Sequence, residues 1–136
     1  MEIVTSRVLL RSDEPEVLIG FYRDTLGLPI AREYPGGVVF HAGNGLIEIP
    51  AHLTGEIGGS TDMLWLQVRD IAATHRELAA AGVTIAAAPE TKPWGLIEMT
   101  VHDTDGRSLI VVQIPDDHPL RRDQRPPAPM TDLMHD

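Results

Sequence analysis

His41 and His102 hold equivalent places in this chain, each closing an apolar run just before a turn. Two imidazoles set that way can serve as metal ligands; equally, histidines at strand ends can hydrogen-bond the backbone of the turn beside them. Other chemistry is thin. His75 falls on the apolar stripe of a helix-like stretch and reads as a packed histidine, while His52, His118 and His135 fall in linker or tail. No cysteine is present, which removes thiolate ligands, a thiol nucleophile and any disulfide framework. No Ser-His-Asp order and no phosphate-cradling glycine loop is recognisable, and Gly43-Asn44-Gly45 reads as a hairpin turn, because Asn-Gly supplies the positive φ angles such turns require.

The elements that carry these residues occur twice. From Arg7 the chain runs through a short apolar segment, Asp13, a helix-like stretch with Phe21-Tyr22, and Leu26-Gly27-Leu28. From Met63 it runs through another apolar segment, Asp70, a second helix-like stretch, and Ala81-Gly82-Val83. Each passage is followed by two apolar runs joined by a turn, Val38 to Phe40 with Leu46 to Ile49, then Leu96 to Val101 with Leu109 to Ile114. Asp13 and Asp70 stand 57 residues apart, so one β-α-β-β-β unit is used twice. In the first helix Asp13 is the expected N-cap, Pro15 fits the first turn, and Glu16 completes a capping box. Leu18, Phe21, Tyr22 and Leu26 form its apolar stripe, and Gly27 ends it. In the second, Asp70 caps, Ile71, His75 and Leu78 form the stripe, and Gly82 stops it. Helices set among groups of three strands favour an α+β fold with curved mixed sheets over a doubly wound parallel sheet.

The expected organisation is a single domain over residues 1–115, with modules near 3–50 and 62–115 and a glycine-rich linker over 51–61. Residues 116–136 read as a proline-rich arm, extended or disordered. A net charge of −9 argues against nucleic acid as partner. No apolar stretch approaches a membrane span, and Met1-Glu2-Ile3-Val4 lacks a basic region, so the default expectation is a cytoplasmic protein.

Phe21-Tyr22-Arg23-Asp24-Thr25-Leu26-Gly27-Leu28, Trp65-Leu66-Gln67-Val68-Arg69-Asp70-Ile71, Ala81-Gly82-Val83, Pro93-Trp94-Gly95 and Asp103-Thr104-Asp105-Gly106 together resemble the vicinal oxygen chelate superfamily. This group includes glyoxalase I, extradiol dioxygenases, fosfomycin-resistance transferases and bleomycin-resistance proteins. The resemblance spans roughly residues 3 to 115. It implies two βαβββ modules whose sheets curl into a cup with helices on the outer side, and a homodimer with pockets built partly across the interface. Metal enzymes of the superfamily place one ligand on the first strand and one on the last strand of each module. Carried over, these positions fall on Arg7 (or Ser6), Met63, Glu48 and Ile110. Of these only Glu48 suits a divalent cation, since arginine keeps its proton, methionine is soft and weak, and isoleucine has no lone pair. The expectation is therefore no metal and no cofactor.

If the resemblance places Met63, Trp65 and Ile110 in the cup with Arg7 and Glu48, and Trp94 at its mouth, the cup suits a flat, mostly apolar small molecule. Against this, Met63 and Trp65 could be core residues of a central strand. Arg7 and Glu48 could pair with each other across the cup. Two functions follow from the resemblance: a metal-free binding protein of the bleomycin-resistance type, sequestering an aromatic or amphipathic ligand such as an antibiotic or toxic metabolite, or a superfamily enzyme (lyase, isomerase or dioxygenase) with a non-standard site. Candidate ligand-binding residues are Arg7, His41, Glu48, Met63, Trp65, Trp94, His102 and Ile110.

Overall fold

A computed structural model of the chain describes residues 1–51 and 62–119. All of the linker expected at 51–61 except Ala51, and most of the arm at 116–136, lie outside the described residues. Two four-stranded mixed sheets are present, ordered β1-β4-β3-β2 and β5-β8-β7-β6. In the first, β1 (Val8–Leu9) runs parallel to β4 (Gly45–Pro50), which pairs antiparallel with β3 (Gly37–Ala42), itself paired with β2 (Ile30–Tyr34). The second repeats this with β5 (Leu64–Gln67), β8 (Ser108–Gln113), β7 (Ile97–His102) and β6 (Thr84–Thr91). One helix precedes the hairpin strands of each module, so the chain is α+β with two βαβββ units and open sheets forming a cup.

Alternation along the strands sends one set of side chains to the helices. Val38, Phe40, Ile47 and Ile49 from sheet one join Met99, Val101, Leu109 and Val111 from sheet two in a single apolar core with Leu18, Ile19, Phe21, Tyr22, Ile71 and Leu78. The two modules are thus fused on their helix side, and the opposite sheet faces stay open.

Helix α1 covers Pro15–Gly20 and passes into a π turn over Phe21–Thr25, with Leu26 N–H reaching the Phe21 carbonyl at 2.9 Å. Asp13 is not its cap. Glu14 holds the N-cap position without a side-chain cap bond, and the Ser12 hydroxyl accepts from Glu14 N–H at 3.0 Å while donating to Asp105 at 3.0 Å. Ser12, buried and fixed from the far module, takes the place the local sequence offered to Asp13. Helix α2 (Ile71–Ala80) is capped as expected, Asp70 Oδ1 accepting from Ala73 N–H. Gly27 and Gly82 take φ values of +70° and +78° where the helices stop. His75 is half-buried on α2 rather than enclosed in the core.

A buried polar network pins the modules together. Asp103 Oδ2 accepts from Tyr22 Oη at 3.0 Å and from Arg107 Nη1 at 2.6 Å, and Oδ1 accepts from the backbone N–H groups of Asp105 and Arg107. Arg107 also donates to the Arg11 carbonyl. Burial works against the Arg107 charge, but Asp103 and Tyr22 outweigh it and hold its pKa above the ordinary value. Burial, then Asp103, pushes the Tyr22 phenol well above its ordinary range.

Candidate functional site

The open faces of the two sheets have different chemistry. On sheet one, Leu9 is in register with Glu48, and the Arg7 guanidinium donates from Nη1 to Glu48 Oε1 at 2.8 Å. Arg7, just ahead of β1, and Glu48 on β4 are therefore neighbours on one sheet, not partners across the cup. Tyr34 Oη donates to the other oxygen, Oε2, at 2.9 Å. The Arg32 guanidinium carbon stands 5.3 Å from the centre of the Tyr34 ring. Partial burial, then Glu48, raises the Tyr34 phenol, while Arg32 and Arg7 pull the other way. These four side chains form one electrostatic group.

A β-bulge explains how Arg32 and Tyr34 arrive there. Ile30 is in register with the core residue Phe40, so plain alternation would turn Arg32 and Tyr34 towards the helices as well. The register shifts between Ile30 and Arg32, pairing Arg32 with Val39 and Tyr34 with Gly37 instead. One extra residue at Ala31 reverses the alternation, which is what bulges do to side-chain direction. Glu33 is correspondingly turned to the helix side, where its charge acts on Arg23. Gly37 is required opposite Tyr34: a Cβ there would lie 2.5 Å from the Ile49 carbonyl and 2.8 Å from Tyr34 Oη.

Sheet two presents an apolar and aromatic face. Trp65 is in register with Ile110, and Leu96, Val112 and Ile114 form a small buried cluster with Ile110 packed against it. Above this floor Met63, Trp65 and Trp94 are 63%, 52% and 58% exposed. That exposure, with β5 at the edge of its sheet, removes the alternative of a central-strand core for Met63 and Trp65. Trp94 sits in the Lys92–Leu96 turn, its indole N–H donating to Glu98. His118 Nε2 lies 2.9 Å from the Trp94 carbonyl, and its ring lies 3.0 Å from where a Cβ on Gly95 would be. His118, which carried no signal in the sequence, thus packs against the turn that holds Trp94.

His41 and His102 occupy matching hairpin ends, in register with Leu46 and Ser108, one exposed and one half-buried. Among the described residues no group of three or more His, Asp or Glu is arranged to hold a metal. The four positions that the resemblance assigns to metal ligands, Arg7 (or Ser6), Glu48, Met63 and Ile110, do not suit a divalent cation here. Glu48 has both oxygens bonded to Arg7 and Tyr34, a guanidinium stands where a ligand would, and Met63 and Ile110 supply no hard donor. Of the residues expected at the site, the structure sets Arg7 and Glu48 on the open face of sheet one, Met63, Trp65, Trp94 and Ile110 on that of sheet two, and His41 and His102 at hairpin ends; Arg32, Tyr34, Glu98 and the Leu96–Val112–Ile114 floor were not anticipated. Period-two alternation around Ile110 could have found the floor, but nothing local marked the bulge.

Comparison with known proteins agrees with this architecture. The structure resembles a glyoxalase/bleomycin resistance protein/dioxygenase from Nocardioides, at 15% identity over 96% of this chain and 91% of that one, with a TM-score of 0.68. It resembles TioX from Micromonospora sp. ML1 at 20% identity (81% and 95% covered, TM-score 0.66) and a lactoylglutathione lyase from Agrobacterium tumefaciens at 16% identity (83% and 94% covered, TM-score 0.66). A search of curated proteins returns no significant match. The family model for the glyoxalase/bleomycin resistance protein/dioxygenase superfamily matches residues 5–110, and the chain belongs to that superfamily.

Proposed function

We propose that this chain is a metal-independent small-molecule binding protein, similar in role to bleomycin-resistance proteins, that sequesters an aromatic or amphipathic ligand such as an antibiotic or toxic metabolite. The observation that carries the reading is the exposed set Met63, Trp65 and Trp94 over the floor of Leu96, Ile110, Val112 and Ile114. Exposed tryptophans on an open sheet face offer large contact area with little side-chain entropy to lose, and an apolar patch of this kind on a soluble protein marks a binding surface. The alternative is a superfamily enzyme (lyase, isomerase or dioxygenase) with a non-standard site; against it, the carboxylate on this face, Glu48, already accepts hydrogen bonds at both oxygens. The pocket closes through a homodimer. Strand β1 is a two-residue edge with Val8 and Leu9 about half exposed, β5 is the other unpaired edge, and a two-fold pairing of identical chains is the commonest way to cover such edges. The likeness to a lactoylglutathione lyase, whose name denotes work on a small molecule, supports the same kind of ligand in this cup, and among the described residues no helix is long and apolar enough to cross a membrane. A cytoplasmic setting fits these features.

The test is a fluorescence titration with an uncharged aromatic dye. Saturable quenching of tryptophan emission is expected, with affinity weakened by Trp65→Ala and by Trp94→Ala while thermal stability stays close to that of the parent protein. A saturable dye whose affinity neither substitution changes would place the site elsewhere.

A further inference from the structure

We infer that the cup takes an amphipathic anion, an aromatic body bearing a carboxylate, sulfonate or ionised phenol, with Arg7 and Arg32 receiving the negative end; this rests on the proposed cup and adds its charge selectivity.

Three observations carry it. First, the two cations stand on an open face of a protein whose net charge is −9, so the surrounding field would not concentrate anions without them. Second, each cation is held in place. Arg7 spends one Nη1–H on Glu48, its one hydrogen bond among the described residues, and Arg32 lies over the Tyr34 ring, which is itself tied to Glu48. A guanidinium carries five N–H donors, so an anchored Arg7 still presents donors in a fixed fork matched to a planar anion. Preorganisation of this kind lowers the ordering cost of binding. Third, the bulge that aims β2 at the open face occurs in both modules, since β6 shifts register between Ile85 and Ala87 just as β2 does between Ile30 and Arg32. The bulge therefore belongs to the fold, but what it carries does not. The position in register with the strand that follows is Arg32 in module one and Ala87 in module two, and the strand-one positions are Arg7 and Met63. One face is cationic and hydrogen-bonding; the other is apolar and aromatic, with the one Glu98 carboxylate tied to the Trp94 indole N–H. A ligand touching both must itself be divided in that way.

Glu48 does not cancel this arrangement. Its two oxygens face Arg7 and Tyr34, so it orients the donors, while two cations and one carboxylate leave the group with an excess positive charge.

The test uses two probes with the same rings, anilinonaphthalene sulfonate and the uncharged phenylnaphthylamine, titrated against the full chain and its variants. The sulfonate is expected to bind more tightly than its neutral twin, and added salt should weaken the sulfonate alone. Arg7→Gln and Arg32→Gln should each weaken the sulfonate by about threefold to tenfold, the size of one charge-assisted contact, and leave the neutral probe unchanged. Circular dichroism melts of each variant identify any that fail to fold, and for those Arg32→Lys, which keeps the charge, replaces the glutamine variant and should retain sulfonate preference. If both probes bind and Trp65→Ala weakens both, but the arginine variants change neither, the anion assignment is wrong and the cup stands. If neither probe binds saturably, both are wrong.

Discussion

Tyr22→Phe removes one hydroxyl from the centre of the molecule, and its consequences depend on pH in a way that can be calculated. Tyr22 is fully buried, its phenol 3.0 Å from Asp103 Oδ2. At neutral pH the substitution deletes a hydrogen bond to a charged acceptor, but Asp103 keeps Arg107 and two backbone N–H groups. The loss should fall at the low end for such bonds, about 1–2 kcal/mol. The phenol has its pKa raised by burial first and by Asp103 second, from an ordinary value of 10.0. A group raised on folding contributes stability in full below its unfolded pKa, and that contribution is lost as pH rises towards the folded pKa. Between about pH 10 and about pH 11.5 the unfolded chain releases the Tyr22 proton and the folded chain does not, which costs the parent protein about 1.4 kcal/mol per pH unit, or about 2 kcal/mol in all. Tyr22→Phe has no proton to release. The parent should therefore be more stable at about pH 8, and the difference should vanish or reverse by about pH 11.5. Urea unfolding followed by far-ultraviolet circular dichroism at several pH values measures this. Parallel loss of stability in the two proteins across the alkaline range would refute the buried-phenol account.

Other expectations follow from the same geometry. Gly37→Ala should destabilise the fold by about 1–3 kcal/mol or more, because its Cβ would meet the Ile49 carbonyl, Tyr34 Oη and Pro50 Cα within 2.9 Å, and it should also weaken sulfonate binding by displacing Tyr34. Trp65→Ala should cost little stability, on the order of 1 kcal/mol or less, since a half-exposed edge residue leaves no cavity; a loss as large as about 3–5 kcal/mol would show that the residue is buried in solution. Light scattering at micromolar concentration should return twice the chain mass, and a monomer would refute the homodimer.

Much of the fold was legible because its signals are local and used twice. Gly27 and Gly82 end their helices with positive φ, Asp70 caps α2, and the apolar runs became the hairpin strands. The first helix start was misread for a non-local reason. Ser12 is fixed by Asp105, which lies 93 residues away in sequence, and no spacing rule near Asp13 conveys that. On sheet two, the exposed pair Met63 and Trp65 was reached through the positions that the family resemblance assigns. On sheet one, Arg7 and Glu48 were reached the same way, but Arg32 and Tyr34 were not. Strict alternation puts Ile30, Arg32 and Tyr34 on one face, and only the bulge at Ala31 separates them. His118 escaped notice because its partner is a backbone carbonyl in a turn 24 residues earlier.

Binding in the cup without a metal is most directly tested by titrating chelator-treated, gel-filtered protein with phenylnaphthylamine and following energy transfer from tryptophan to dye. Saturation near one dye per chain is expected, unchanged when Zn²⁺, Mn²⁺ or Fe²⁺ is added, with no stoichiometric metal found by elemental analysis of the untreated protein. Transfer that appears only after a metal is restored, or about one equivalent of metal that is lost with Glu48→Ala, would contradict it.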